Sequence, residues 1–228
     1  MFRKNAHPFN MISDNMCENI GLICAVCRIG IYSCFRRMCC RGPATVKPNF
    51  TVLCLGLTKA GKSSLVALLS GDDVHKIEPT IGFSIKALLF EDCILNVKEL
   101  GGGENVRLYW DRYYESTHGV VFVLNGTGTD EELEIVKTEF HKALDHPRLA
   151  YHPLLVLVNY QDLPGACSTN EIIQLLELEK ETEKQRKWTI HGCSVNDKSS
   201  LESAFAQFNT FLTQKEEVKN DKGEFDQI

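Results

Sequence analysis

The densest chemistry in the chain lies in eight residues, Gly56-Leu57-Thr58-Lys59-Ala60-Gly61-Lys62-Ser63. Two glycines spaced this way let the backbone curl so that successive N–H groups, those of Thr58, Lys59 and Ala60 among them, point inward at an anion. Lys62 adds a point charge, and Ser63 adds a hydroxyl suited to Mg2+. With Ser64 it opens a run, Leu65 to Leu69, that reads as a helix and would offer the positive end of its dipole to the same anion. This is the chemistry of holding a polyphosphate. The alternative is a chance glycine turn between a strand and a helix.

The elements needed to position such a loop are legible around it. Val52 to Leu55 is an apolar run that reads as a buried strand ending at Gly56. Phe83 to Phe90 and Cys93 to Glu99 read as two strands of a hairpin joined at Glu91-Asp92, followed by the glycine cluster Gly101-Gly102-Gly103. Glu104 to Ser116 reads as one aromatic-rich helix, with Tyr109, Trp110, Tyr113 and Tyr114 half-buried against the body. Gly119 to Leu124, Leu154 to Asn159 and Trp188 to Cys193 read as further strands. Asp130 to Leu144 reads as an amphipathic helix. Ser168-Thr169-Asn170-Glu171 has the form of a capping box opening a helix to about Leu178. Leu201, Ala204, Phe205, Phe208, Phe211 and Leu212 recur at helical spacing in the last helix. Strands alternating with helices imply an α/β architecture, a mainly parallel sheet with helices on both faces and its ligand at the carboxyl ends of the strands.

The chain of 228 residues, 43% hydrophobic and 24% charged, suits one soluble domain with extensions. Its net charge of −5 gives no case for nucleic acid as a partner, but the charge is uneven. Residues 1–47 carry seven Lys/Arg against Asp14 and Glu18, which leaves −10 on the remainder. Six of the ten cysteines also lie there, a usage that suits a reducing compartment rather than a disulfide framework. Phe2 stands where myristoylation needs glycine. The uncharged runs 19–27 and 29–35 are each too short to span a bilayer, and Arg28 between them opposes a continuous span. The expectation is an interfacial helix whose basic end, at Arg36, Arg37 and Arg41, meets anionic headgroups. Cys34, Cys39 and Cys40 beside it are S-palmitoylation candidates. Zinc at Cys24-x-x-Cys27, or packing of the arm on the body, are the alternatives. The expected divisions are an arm and linker at 1–47, a nucleotide-binding domain at 48–214 and a charged, frayed tail at 215–228.

Taken in order, GLTKAGKSS, PTIGF, ELGGGENVR, NYQDLPGA and the Cys193-Ser194 turn resemble the ADP-ribosylation-factor branch of small GTPases over about residues 50–213. The resemblance implies the small-GTPase fold, GTP and GDP as ligands with Mg2+, and a signalling or trafficking switch. It matches Thr80 to a switch I threonine that binds Mg2+ and senses the γ-phosphate. Gly102 matches the switch II glycine that donates to that phosphate. Asn159 and Asp162 match the guanine readers, and Cys193 with Ser194 the last turn against the base. Three positions depart from the pattern. Glu99 replaces the aspartate that holds Mg2+ through water. Gly103 replaces the glutamine that orients the attacking water, so no catalytic side chain is assigned and intrinsic hydrolysis is expected to be very slow. Tyr160 replaces a lysine packed over the base.

The leading expectation is a monomeric switch held on the cytoplasmic face of intracellular membranes or the plasma membrane. It would engage effector proteins through switch I, the hairpin and switch II. The alternative is an interaction protein that keeps the fold and binds partners regardless of nucleotide. A phosphate-loop kinase acting on a metabolite leaves PTIGF and NYQD unexplained.

Overall fold

The computed structural model describes residues 47–225, with side chains to Lys215. The arm carrying Cys34, Cys39 and Cys40 lies outside the described residues. Six strands form one sheet in the order β2-β3-β1-β4-β5-β6: β1 Asn49–Leu55, β2 Phe83–Leu89, β3 Ile94–Leu100, β4 Gly119–Asn125, β5 Leu154–Asn159 and β6 Trp188–Gly192. β1 runs parallel to β3 and β4, and β4, β5 and β6 are mutually parallel. Only the β2–β3 hairpin is antiparallel. The central strands are apolar almost throughout because both their faces are covered, as parallel sheets require.

The helices are α1 Lys62–Ser70, α2 Glu104–Arg107, α3 Asp130–Leu144, α4 Thr169–Leu175, α5 Glu179–Glu183 and α6 Lys198–Phe225. α1 and α6 bury Leu65, Phe205 and Phe208 against Phe50, Cys54 and Val97 on one face. α3 and α4 bury Phe140 and Ile172 against Leu53, Phe122 and Val158 on the other. Phe122 and Phe140 meet edge to face at 5.1 Å. Each fully buried side chain of this size contributes about 1.5–3 kcal/mol. The expected capping box forms, with Glu171 N donating to Ser168 Oγ and Ser168 N to Glu171 Oε2. Thr129 and Glu132 cap α3 in the same way.

Three elements differ from expectation. Residues 104–116 are not one helix: α2 ends at Arg107, and Trp110–Tyr113 form a 3-10 turn. The chain is pulled back because the buried Trp110 donates its Nε1–H to Gly101 O at 3.0 Å, satisfying a group that hydrocarbon alone would strand. Trp110 and Tyr114 are consequently buried rather than half-buried, while Tyr109 stays exposed. The helix opened by Ser168 stops at Leu175, since Glu177 takes a left-handed φ of 53°, and α5 follows separately. Past residue 214 the backbone continues as α6 to Phe225, where the sequence reads as a charged, frayed tail.

Candidate functional site

β1, β4, β5 and β6 all deliver their carboxyl ends to one edge of the sheet, and the motif residues collect there. The loop after β1 meets the start of α1, and its lysine is turned inward. Lys62, 6% exposed, donates from Nζ to Gly56 O and Leu57 O, each at 2.9 Å. Its other neighbours do not form an ion pair with it. Burial pushes its pKa down, partly opposed by the nearby Cys54 and Glu99. A buried ammonium without a bonded counter-charge is costly, and a phosphate group would supply what it lacks.

A cleft of about 500 Å3 opens beside it, walled by Thr58, Lys59, Gly61, Ser63, Ser64, Thr80, Glu99, Gly102, Gly103 and Tyr160 among others. Thr80 Oγ1 donates to Glu99 Oε1 at 3.0 Å and lies 3.2 Å from Ser63 Oγ. Ser63 Oγ donates to the same carboxylate oxygen. Residues 17 and 36 positions from Ser63 thus converge on it. Gly102 presses its backbone onto the loop: a Cβ there would stand 2.2 Å from Leu57 C and 2.4 Å from Thr58 N. No side chain can occupy that position without displacing backbone. At Gly103, by contrast, an added Cβ would meet nothing within 4 Å. Gly101 N donates to Gly82 O at 2.8 Å, so the segment after Thr80 and the glycine cluster are in direct contact.

The proposed base-reading residues lie past this cleft, at the ends of β5 and β6. Asn159 Nδ2 donates to Ala60 O at 2.9 Å, while its Oδ1 is buried with no partner. Such an orphan acceptor costs about 1–3 kcal/mol unless a donor reaches it. Gly61, at φ 88°, admits this contact, since a Cβ would fall 2.0 Å from Asn159 Nδ2. Tyr160, at φ 65°, donates its hydroxyl to Lys59 O at 3.2 Å. Gln161 N donates to Cys193 O at 3.1 Å and Cys193 N to Val158 O at 2.9 Å, which locks the two loops together. Cys193 and Ser194 are buried, and burial pushes the Cys193 thiol up to about 12. Asp162, Cys193 and Ser194 do not wall the phosphate-side cleft.

Two further residues contribute beyond those assigned from the sequence. Asn196 Nδ2 donates to Asp162 Oδ2 at 2.8 Å, orienting an exposed carboxylate from 34 positions away. Arg107 Nη1 donates to Gly102 O at 3.3 Å, while its Nε lies 3.2 Å from Glu139 Oε1, linking the glycine cluster to α3. Asn196 belongs to no contiguous motif and only the fold brings it to Asp162, whereas Arg107 closes the ELGGGENVR run and lies five positions from Gly102.

A phosphate-type loop between β1 and α1, a hairpin preceding a glycine cluster, and two further loops joined at the strand ends define a phosphate-loop nucleotide-binding α/β protein. Residues 37–212 match the Arf, ADP-ribosylation factor, family, and the chain belongs to that family of small GTPases. It is 43% identical over 185 residues to ADP-ribosylation factor-like protein 15 of Homo sapiens, covering 81% of this chain and 90% of that protein. It is 37% identical over 154 residues to ADP-ribosylation factor-like protein 2 of Arabidopsis thaliana, covering 68% and 82% respectively. Among solved structures, the Arl6 BBS3 small GTPase from Trypanosoma brucei with bound nucleotide analogue GppNp superposes with a TM-score of 0.65. It has 21% identity and covers 73% of this chain and 98% of that one, which is a likeness of fold.

Proposed function

We propose that this chain is a membrane-associated guanine-nucleotide switch with very slow intrinsic hydrolysis. The observation that carries it is the buried Lys62 ammonium, with no bonded counter-charge, at a cleft where Ser63, Thr80, Glu99 and Gly102 converge. Guanine is the base favoured because Asp162, held by Asn196, keeps acceptor capacity for two donors on one base edge. Asn159 adds a buried acceptor without a partner.

The residues present also fit a magnesium ion. Ser63 and Thr80 offer hydroxyl oxygens and Glu99 a carboxylate, the hard oxygen donors that Mg2+ takes in company with substrate phosphates. Among the described residues no cluster of three His, Cys, Asp or Glu forms a self-sufficient metal site, as suits an ion shared with a ligand. When bound, it would neutralise charge on the outer phosphates.

Switching follows from the contact between the two segments. A γ-phosphate engaging Thr80 and Gly102 N–H would order both, and its loss would release them. Next to them lies an apolar surface, with Ile81 95%, Phe83 51%, Ile85 54%, Leu89 78% and Leu108 64% exposed. Exposed apolar side chains of this size suit protein effectors. Gly103 supplies no side chain to orient water, which is the basis for slow hydrolysis.

The arm, outside the described residues, is the proposed membrane anchor. Among the described residues no helix is long and apolar enough to cross a membrane. Cys54, Cys93 and Cys193 are buried while Cys167 is partly exposed; the basic residues Arg36, Arg37 and Arg41 beside Cys34, Cys39 and Cys40 favour those three as the lipidation sites.

The second function, a non-cycling interaction protein, is favoured by the three departures from the family pattern, Glu99, Gly103 and Tyr160. Equal partner affinity in the GTP-analogue and GDP states would support it over the switch. For the switch, the test is Lys62→Ala. It should weaken GDP binding by about a hundredfold, roughly 2.7 kcal/mol, with an unchanged circular dichroism spectrum. Unchanged GDP affinity would remove the proposed role of the loop.

A further inference from the structure

We infer that Trp110 is a positioning residue for the triphosphate state: its indole N–H holds the Gly101–Gly102 peptide so that Gly102 N–H faces the phosphate-side cleft before any ligand arrives. The inference rests on the guanine-nucleotide switch proposed above and names the residue that presets one of its donors. The peptide in question joins two glycines, so local sterics leave its plane free to turn over. A contact from outside must decide which edge meets the cleft. Gly101 N donates to Gly82 O at 2.8 Å, which fixes the peptide before Gly101. Gly101 O accepts from Trp110 Nε1 at 3.0 Å, which fixes the peptide after it.

A planar trans peptide carries its C=O and its N–H on opposite edges. Trp110 takes the carbonyl edge from outside the cleft, since it is not one of the residues that wall it. The amide edge is therefore left on the cleft side. Gly101, Gly102 and Gly103 all line the cleft, and Gly102 lies against the phosphate loop, where an added Cβ would stand 2.4 Å from Thr58 N. Gly102 is buried, yet among the described residues its N–H meets no acceptor. A buried backbone donor left unpaired is rare and costly, and the outer phosphate of a nucleoside triphosphate is the kind of acceptor it lacks. GDP does not carry that phosphate, so the preset amide acts on the triphosphate alone. Trp110 can hold the plane because it is itself held: it is 2% exposed and belongs to the core formed with Leu53, Leu100 and Phe122.

The test uses the full chain with Mg2+ and compares GDP with the analogue GppNp by titration calorimetry. Trp110→Phe keeps an aromatic ring in the core and removes the donor. It should lower GppNp affinity about tenfold, the worth of one hydrogen bond, and change GDP affinity by less than about twofold. An equal loss for both nucleotides would make Trp110 a packing residue only, and no loss for GppNp would show that Gly102 N–H is oriented without it. Either result would overturn the inference while leaving the proposed function intact. If Trp110→Phe does not fold, a second measurement leaves Trp110 in place. Trp188→Phe makes Trp110 the only tryptophan, and nuclear magnetic resonance of the 15N,13C-labelled chain reads the coupling across the hydrogen bond from its indole nitrogen to the Gly101 carbonyl. The coupling should be present with GDP as well as with GppNp. Its absence with GDP would overturn the inference, because the peptide would then not be preset. Failure of the wild type to bind either nucleotide would overturn the proposed function as well.

Discussion

At Gly103 the backbone has an ordinary φ of −65° and the space beside it is open, so this departure from the family pattern is reversible. Gly103→Gln should fit without displacing a neighbour and raise single-turnover GTP hydrolysis by about ten- to a hundredfold, the lower part of the range for a positioned catalytic group. An unchanged rate would place the defect elsewhere. Gly102 is the opposite case, because its missing Cβ is filled by backbone of the phosphate loop. At this scale the sequence was legible wherever the chemistry is contiguous. Gly56, Lys62 and Ser63 could be read directly, because a turn and a helix start impose fixed spacing, whereas Asn159 and Asp162 are assigned through the resemblance to the family. Asn196 could not be read at all, since it reaches Asp162 from 34 positions away only after the chain has folded back.

At the scale of elements, the strands and the long helices were legible because periodicity and burial agree in them. The stretch after Gly103 was not: its helical composition yields to one hydrogen bond from Trp110 to Gly101 O. The same is true of the connection from α5 to β6. There Arg186 donates to Glu181 Oε2 and to the carbonyls of Leu144, Leu149 and His152, with both charged side chains 2% exposed or less. Glu181→Gln leaves the buried Arg186 guanidinium without its counter-charge and should cost about 3–5 kcal/mol in urea unfolding. A loss below 1 kcal/mol would mean that solvent reaches the pair. In α6, Asn209 is fully buried and both of its amide atoms lack partners. Asn209→Leu should therefore stabilise the fold by about 1–3 kcal/mol, read from the same unfolding curves. Destabilisation would show that the amide finds a partner, such as an ordered water.

For the whole molecule, the sequence divides into a basic, cysteine-rich arm and an acidic nucleotide-binding body, and the proposed function assigns membrane attachment to the first. Cys34→Ser, Cys39→Ser and Cys40→Ser together should move the protein from membrane to soluble fractions, since the basic residues alone are one signal and stable anchoring takes two. Unchanged fractionation would refute acylation there as the anchor. The body's central claim is that the edge of the sheet bearing Lys62, Glu99 and Asp162 binds guanine nucleotide with a divalent cation. The most direct measurement is the affinity of the purified chain for GDP, GTP and ADP by titration calorimetry, with Mg2+ and with chelator. Tight guanine binding that falls sharply on chelation, with ADP bound at least about a hundredfold more weakly, is the predicted result. Equal affinity for ADP and GDP, or no binding at all, would contradict it.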